Sequence, residues 1–282
     1  MMILKNYITI IVAAIVILWP FTIDAAGEDE EDVYFILMGE ADQAINDKNY
    51  AEAAARLKDA INVRPDAASN VLLMSNLGMV YSAMGQDSLA LATLDKAHQI
   101  APSMVTVILN RARIRLKMGD DARAYDDFAK VIALDSLDAT ARYYHGMIAL
   151  YGGDLGTAGR DFEVLRDSDP DGFDTKVAMA NYYALMRNDA EAIKYYKSLI
   201  GIDPAVEFYS GLAGCYLAIG DLSAASETIA DGMKLYPRDP ELYYYRAWLN
   251  RDRFRLDDAH SDARIAIGLG ADSRKVGMLF KK

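Results

Sequence analysis

The sequence is poor in the residue types that build most catalytic and metal sites. It has a single cysteine, Cys215, so no disulfide can form within the chain. Its three histidines, His98, His145 and His260, lie far apart and have no metal-binding spacing with the cysteine or with one another. Nucleophile elbows, phosphate loops and dinucleotide fingerprints are absent. We therefore predict that the protein is not an enzyme and holds no cofactor and no metal.

Positive charge is also scarce. The chain has 30 Lys and Arg against 41 Asp and Glu, which gives a formal net charge of -11. An acidic surface repels phosphate backbones, so we predict no binding of nucleic acid. Residues 167–172 imitate the start of a calcium loop, but Asp174 and Ala178 follow where such a loop needs an apolar residue and a glutamate. The segment is therefore interpreted as a turn.

The chain has one long apolar run, from Ile8 to Phe21. Lys5 precedes the run, and the small residues Ala25 and Ala26 follow it. This order is typical of a secretory signal peptide. We predict that residues 1–26 are such a signal and that the mature protein is periplasmic or secreted.

An alternative stays open for the same segment. Residues 7–23 would serve as an uncleaved anchor and associate the protein with a membrane. The next residues, 27–33, are mostly acidic and are expected to form a solvated linker. On either reading, the folded part is predicted to begin near Val33.

The rest of the sequence follows a fixed period. Turn residues recur at intervals of about 34 residues, at Pro65, Pro102, Ser136, Pro170, Pro204, Pro237 and Ala271. Twelve residues before each turn residue stands an alanine, at Ala53, Ala90, Ala124, Ala158, Ala192, Ala225 and Ala259. A further small residue stands twenty-four before each turn, at Ala41, Gly78, Ala112, Gly146, Ala180, Ala213 and Ala247. Small residues at these points predict helices that approach closely.

The second unit has the most complete pattern, with Leu77, Gly78, Tyr81, Gly85, Ala90, Leu94, Ala97 and Pro102. This pattern resembles the tetratricopeptide repeat, a 34-residue helix–turn–helix. The resemblance implies an all-α fold, a right-handed α-solenoid of seven such repeats across residues 34–270. Residues 271–282 are expected to form a capping tail that covers the last repeat with Val276, Met278, Leu279 and Phe280.

The resemblance also implies a scaffold that binds a protein or peptide partner, because the first helices of such repeats line a concave surface. The residue one step past each small packing residue is predicted to point out of the core, together with residues near it on the same helix face. Methionine and aromatic side chains on such a surface suit packing against a helix or an extended peptide. The predicted partner-binding groove consists of Met38, Asp42, Asn76, Met79, Asn110, Arg113, Tyr143, Met147, Asn181, Tyr244 and Trp248.

Two other interpretations limit this prediction. The methionines of the groove can instead fill the interior of the solenoid. The paired tyrosines can instead stack on the rings of a small ligand or glycan. Some members of the family hold the C-terminal carboxylates of chaperones, and Asn76 and Arg113 match two positions of that site. Met38, Asp42 and Leu109 stand at the others and cannot hold a carboxylate, so the partner stays unidentified.

Overall fold

The structure is a computed structural model that describes residues 28–281. Over this range the chain forms fifteen α-helices and no β-strand. None of the helices in the described range has both the length and the apolar character that crossing a membrane requires. The predicted signal peptide and the alternative anchor at residues 7–23 lie outside the described residues. Export stays a prediction, which N-terminal sequencing of the mature protein would test.

The first fourteen helices form seven consecutive pairs. The first four pairs are α1 (Glu28–Asn46) with α2 (Tyr50–Val63), α3 (Asn70–Ala83) with α4 (Asp87–Ile100), α5 (Val105–Lys117) with α6 (Asp121–Leu134), and α7 (Ala139–Gly152) with α8 (Leu155–Ser168). The last three are α9 (Phe173–Leu185) with α10 (Asp189–Ile202), α11 (Val206–Ala218) with α12 (Leu222–Leu235), and α13 (Pro240–Asp252) with α14 (Leu256–Gly268). A short helix, α15 (Ser273–Met278), follows.

The chain divides within α7 into two compact units, which end and begin at Ile148 and Ala149. In each unit the two helices of a pair pack together, and the second helix packs against the first helix of the next pair. First helices of successive pairs also touch, as α3 and α5 do in the first unit and α11 and α13 in the second. This arrangement is the tetratricopeptide-like α-solenoid that the sequence predicted.

The alanines that recur once in each repeat lie at the centre of this packing. All seven alanines that stand twelve residues before the turns have no exposed surface. Four residues further along the same helix face, Leu94 and Phe128 are also fully buried. The small residue lets the paired helix come close, and the large one fills the space beside it. The predicted spacing is therefore confirmed as the core of each pair.

The turn within each pair has one backbone conformation. Gly85, Gly119, Gly153 and Gly220 have positive φ angles of 75–87° there, where a side chain is costly. In three pairs an aspartate follows the glycine and accepts a hydrogen bond from the backbone N–H three residues later, which starts the second helix. The pairs that lack the glycine place another residue at positive φ, namely Lys48, Arg187 and Phe254.

The two ends of the solenoid differ from their predictions. Helix α1 begins at Glu28, so all but the first residue of the predicted linker, residues 27–33, is helical and the prediction of a linker there was wrong. At the other end, Val276 and Leu279 are buried against the last pair as expected, whereas Met278 is exposed.

Two glycines on equivalent first helices provide a matched test of the close packing. A Cβ atom at Gly78 in α3 would lie 2.7 Å from Leu94 Cγ, whereas a Cβ atom at Gly39 in α1 would meet nothing within 4 Å. Gly78→Ala is therefore expected to lower the free energy of unfolding by about 1–3 kcal/mol. Gly39→Ala is expected to raise it by about 0.5–1 kcal/mol, because alanine favours the helix. Urea unfolding measures both, and equal effects would contradict the packing argument.

Candidate functional site

Two methionines of the predicted groove lie in the core of the first unit. Met79 and Met147 are almost fully buried, and Arg113 is mostly buried, so the prediction that these side chains point out of the core was wrong. Met79 packs with Ile114 of the next first helix and with Leu94. The reason for Met79 is that α3 is covered by the next first helix, α5, as well as by its own partner, α4.

Four more groove residues keep less than a tenth of their surface exposed, namely Asn76, Asn110, Tyr143 and Tyr244. Asn110 donates a hydrogen bond from Nδ2 to Ser75 Oγ at 3.0 Å and so joins α5 to α3. The ring of Tyr143 lies edge-on to that of Tyr144, with 5.0 Å between centroids. Asn110 and Tyr143 therefore contribute to packing.

The remaining groove residues are half-buried and reach the surface in both units. Met38 and Asp42 lie on α1 in the first unit, and Asn181 and Trp248 lie on α9 and α13 in the second. Asn181 accepts a hydrogen bond from the Tyr196 hydroxyl at 3.2 Å and donates one to a backbone carbonyl. Trp248 Nε1 donates to Asp252 at 2.8 Å. The two units therefore each retain two of the predicted contact residues at the surface.

In the first unit these residues belong to a small pocket between α1 and α3. Its lining consists of Met38, Asp42, Leu57, Ser69, Leu72, Leu73 and Asn76. Four of its seven lining residues are apolar, and the polar ones converge from two helices. Burial raises the pKa of the Asp42 carboxyl above its ordinary value. We call this site the α1–α3 pocket.

A buried ion-pair network, which the sequence reasoning missed, joins α5 and α6. Arg111 donates to both oxygens of the fully buried Asp127 carboxylate, at 2.9 and 2.8 Å, and Arg115 donates to it at 2.6 Å. In the last pair Arg246 binds Asp262 in the same bidentate way. Both arginines precede their aspartates by sixteen residues. The pairs tie the two helices of a repeat together.

The sixth pair has no such ion pair, and a surface cleft lies at the equivalent place. Leu212 and Thr228 stand where Arg111 and Asp127 stand in the third pair. The cleft is lined by Lys197, Ile200, Tyr209, Leu212, Tyr216, Ala224, Glu227, Thr228 and Asp231. Its charged residues are all exposed, one basic and two acidic, namely Lys197, Glu227 and Asp231.

The residues with potential chemistry are used for packing. Cys215 is buried, and this burial raises its thiol pKa to about 12, so it is not an activated nucleophile. Within the described part of the chain, no three His, Cys, Asp or Glu side chains come together as metal ligands. The His145 ring stacks on Tyr125 with 4.0 Å between centroids, and the His260 ring stacks on Phe280.

Residues 62–234 match the family model described as Protein kinase G tetratricopeptide repeat. No curated protein sequence matches the chain significantly. The fold is similar to that of a tetratricopeptide repeat protein from Parabacteroides merdae ATCC 43184, with a TM-score of 0.67 and 20% identity over 88% of this chain and 97% of that one.

Two further solved structures share the fold. The APC/C hetero-tetramer Cut9–Hcn1 gives a TM-score of 0.65 at 12% identity and covers 91% of this chain and 60% of that one. YrrB, described as a tetratricopeptide repeat protein with an unusual peptide-binding site, gives 0.51 at 18% identity over 66% of this chain and 96% of its own. Because the family model covers more than half of the sequence and the helix pairs agree with it, the protein belongs to the tetratricopeptide repeat family.

Proposed function

We propose that the protein is a non-catalytic scaffold that binds a peptide or helix of a partner protein on its first helices. Proteins with this fold are generally scaffolds, and they commonly bind protein or peptide partners. The observation that carries the proposal is the α1–α3 pocket, where groove residues chosen from the sequence line a concave site. The pocket is small, with a volume of about 20 Å³, and it combines apolar walls with a few polar groups.

Two of the similar structures support this class of function. YrrB has a peptide-binding site, and Cut9 forms a complex with Hcn1. Neither identifies a partner for this chain, because likeness at this identity shows only the fold. The proposal therefore rests on the family and on the pocket itself.

The ring-stacking alternative has less support. The tyrosines of two clusters pack against protein rings, since Tyr144 stacks on Phe128 at 5.3 Å and Tyr245 stacks on Trp248 at 6.4 Å. Tyr183 and Tyr195 stack on each other at 5.9 Å. Each of these rings already has a neighbouring ring in the protein, which leaves less open ring surface for a ligand.

The test compares partner capture by two double variants. Met38→Gln with Leu72→Gln removes apolar contact from the α1–α3 pocket without changing charge. We expect crosslinked partner recovery from the native source to fall up to about thirtyfold, since two contacts worth about 1 kcal/mol each are lost. The matched control is Leu89→Gln with Leu134→Gln, which changes two exposed leucines on second helices. Equal recovery by both variants, with unchanged melting curves, would place binding away from this pocket.

A further inference from the structure

The α1–α3 pocket contains two polar side chains that nothing in the described structure satisfies. Within residues 31–281, neither the Asp42 carboxylate nor the Asn76 carboxamide has a hydrogen-bond or ion-pair partner. Asn76 has only 8% of its surface exposed, yet it lines the pocket. The third polar group, Ser69 Oγ, already forms a hydrogen bond of 2.6 Å with Tyr34. The pocket therefore offers one carboxylate and one carboxamide that are available to bind a ligand.

Both groups still reach water in the protein alone, because Asp42 is half-buried and no polar atom of Asp42 or Asn76 is both shielded from solvent and without a partner. They are nevertheless free of protein partners and face the pocket, where a ligand can replace the water. Partial burial raises the pKa of the Asp42 carboxyl, and no cation near the group counteracts it. A ligand that supplies a positive charge and N–H donors would complement both groups.

The walls of the pocket define the rest of the ligand. Met38, Leu72 and Leu73 provide apolar surface beside the two polar groups. A basic side chain has an apolar stem and a charged head, so it matches both parts of the pocket. Arginine suits the site better than lysine, because its planar head offers several donors to a carboxylate and a carboxamide oxygen together.

We infer that the α1–α3 pocket binds an arginine side chain of the partner segment, with the guanidinium on Asp42 and Asn76 and the stem on Met38 and Leu72. This inference rests on the proposed scaffold function and names the partner chemistry at one end of the binding surface. It assigns the pocket to a cation. The carboxylate-binding members of the family have the opposite preference.

The test uses three capped tripeptides, acetyl-Leu-Xaa-Leu-amide, in which Xaa is arginine, citrulline or glutamate. Citrulline has the shape of arginine without its charge. Each peptide is titrated into the full chain while the Asp42 and Asn76 signals are followed by ¹H–¹⁵N NMR. We expect the arginine peptide to bind at least about tenfold more tightly than the citrulline peptide. Asp42→Asn should remove that difference, and Asp42→Lys should transfer the preference to the glutamate peptide.

The fold is controlled separately. Asp42 has no partner in the described structure, so Asp42→Asn should leave the melting temperature unchanged or raise it. Asp47→Asn, at an exposed position just beyond the end of the same helix, should leave the arginine preference intact. Equal affinities for the three peptides, or no shift of the pocket signals, would overturn the inference. The scaffold proposal would survive either result if Met38→Gln with Leu72→Gln still reduced partner capture.

Discussion

Replacement of Asp127 with alanine is expected to lower the free energy of unfolding by about 3–5 kcal/mol. The reason is that Arg111 and Arg115 would remain largely buried and would keep only the half-exposed Asp95 as an acidic partner. The loss of a fully buried counter-charge costs far more free energy than the loss of an exposed contact. Urea unfolding of the purified chain measures the change, with helical circular dichroism as the signal.

Asp95 provides the matched control. It also contacts Arg111 and Arg115, at 3.3 and 3.5 Å, but 42% of its side chain is exposed. Asp95→Ala is therefore expected to cost less than about 1 kcal/mol. A triple change of Arg111, Arg115 and Asp127 to leucine should recover much of the loss, because it leaves no charge to compensate. If Asp127→Ala costs no more than Asp95→Ala, the network contributes nothing specific.

Met79→Glu is expected to destabilise the protein by at least about 3 kcal/mol. Met79 lies in an apolar cluster with Ala90, Leu94 and Ile114, where a carboxylate has neither water nor a cation. Met79→Leu keeps the volume and the apolar character and should cost less than about 1.5 kcal/mol. Thermal melts of the two variants separate a core position from a surface position. If Met79→Glu melted close to the wild-type temperature, Met79 would be a surface residue of the groove and not a core residue.

The sequence predicted the fold because its signal is periodic. An alanine such as Ala90 recurs in the same frame seven times, and a single helix–turn–helix unit cannot bury its own apolar face. The frame therefore determines which helices pair and which side chains lie between them. Turn glycines such as Gly85 indicate where the chain reverses direction between the two helices of a pair.

The orientation of the first helices could not be predicted in the same way. One residue along a helix changes the direction of a side chain by about 100°, which is enough to move it from the open surface to the next helix. Met79 lies one residue past Gly78 and packs on Ile114 of that next helix. The equivalent residue on α1, Asp42, is not covered in this way and lines the α1–α3 pocket.

The sequence also contains a spacing of opposite charges that indicates the ion pairs and that is separate from the apolar repeat. Arg111 and Asp127 are sixteen residues apart, as are Arg246 and Asp262. In the first pair the charges are reversed, and Glu40 lies 3.1 Å from Arg56 across the same spacing. Charged residues at this separation, one on each helix of a pair, therefore predict contact between the helices. The apolar residues that define the repeat do not include these charged positions, so the repeat alone did not predict the ion pairs.

The burial of the only cysteine has a practical consequence for measurement. Because the Cys215 thiol is buried and this burial raises its pKa to about 12, we expect it to react only slowly with a maleimide dye in the folded protein. A second cysteine placed on an exposed helix face can then be labelled selectively without first removing the natural one. The natural thiol becomes a reporter in its own right, because it can react only when its surroundings open. The rate at which Cys215 is modified would thus measure how fast the second unit opens locally around it.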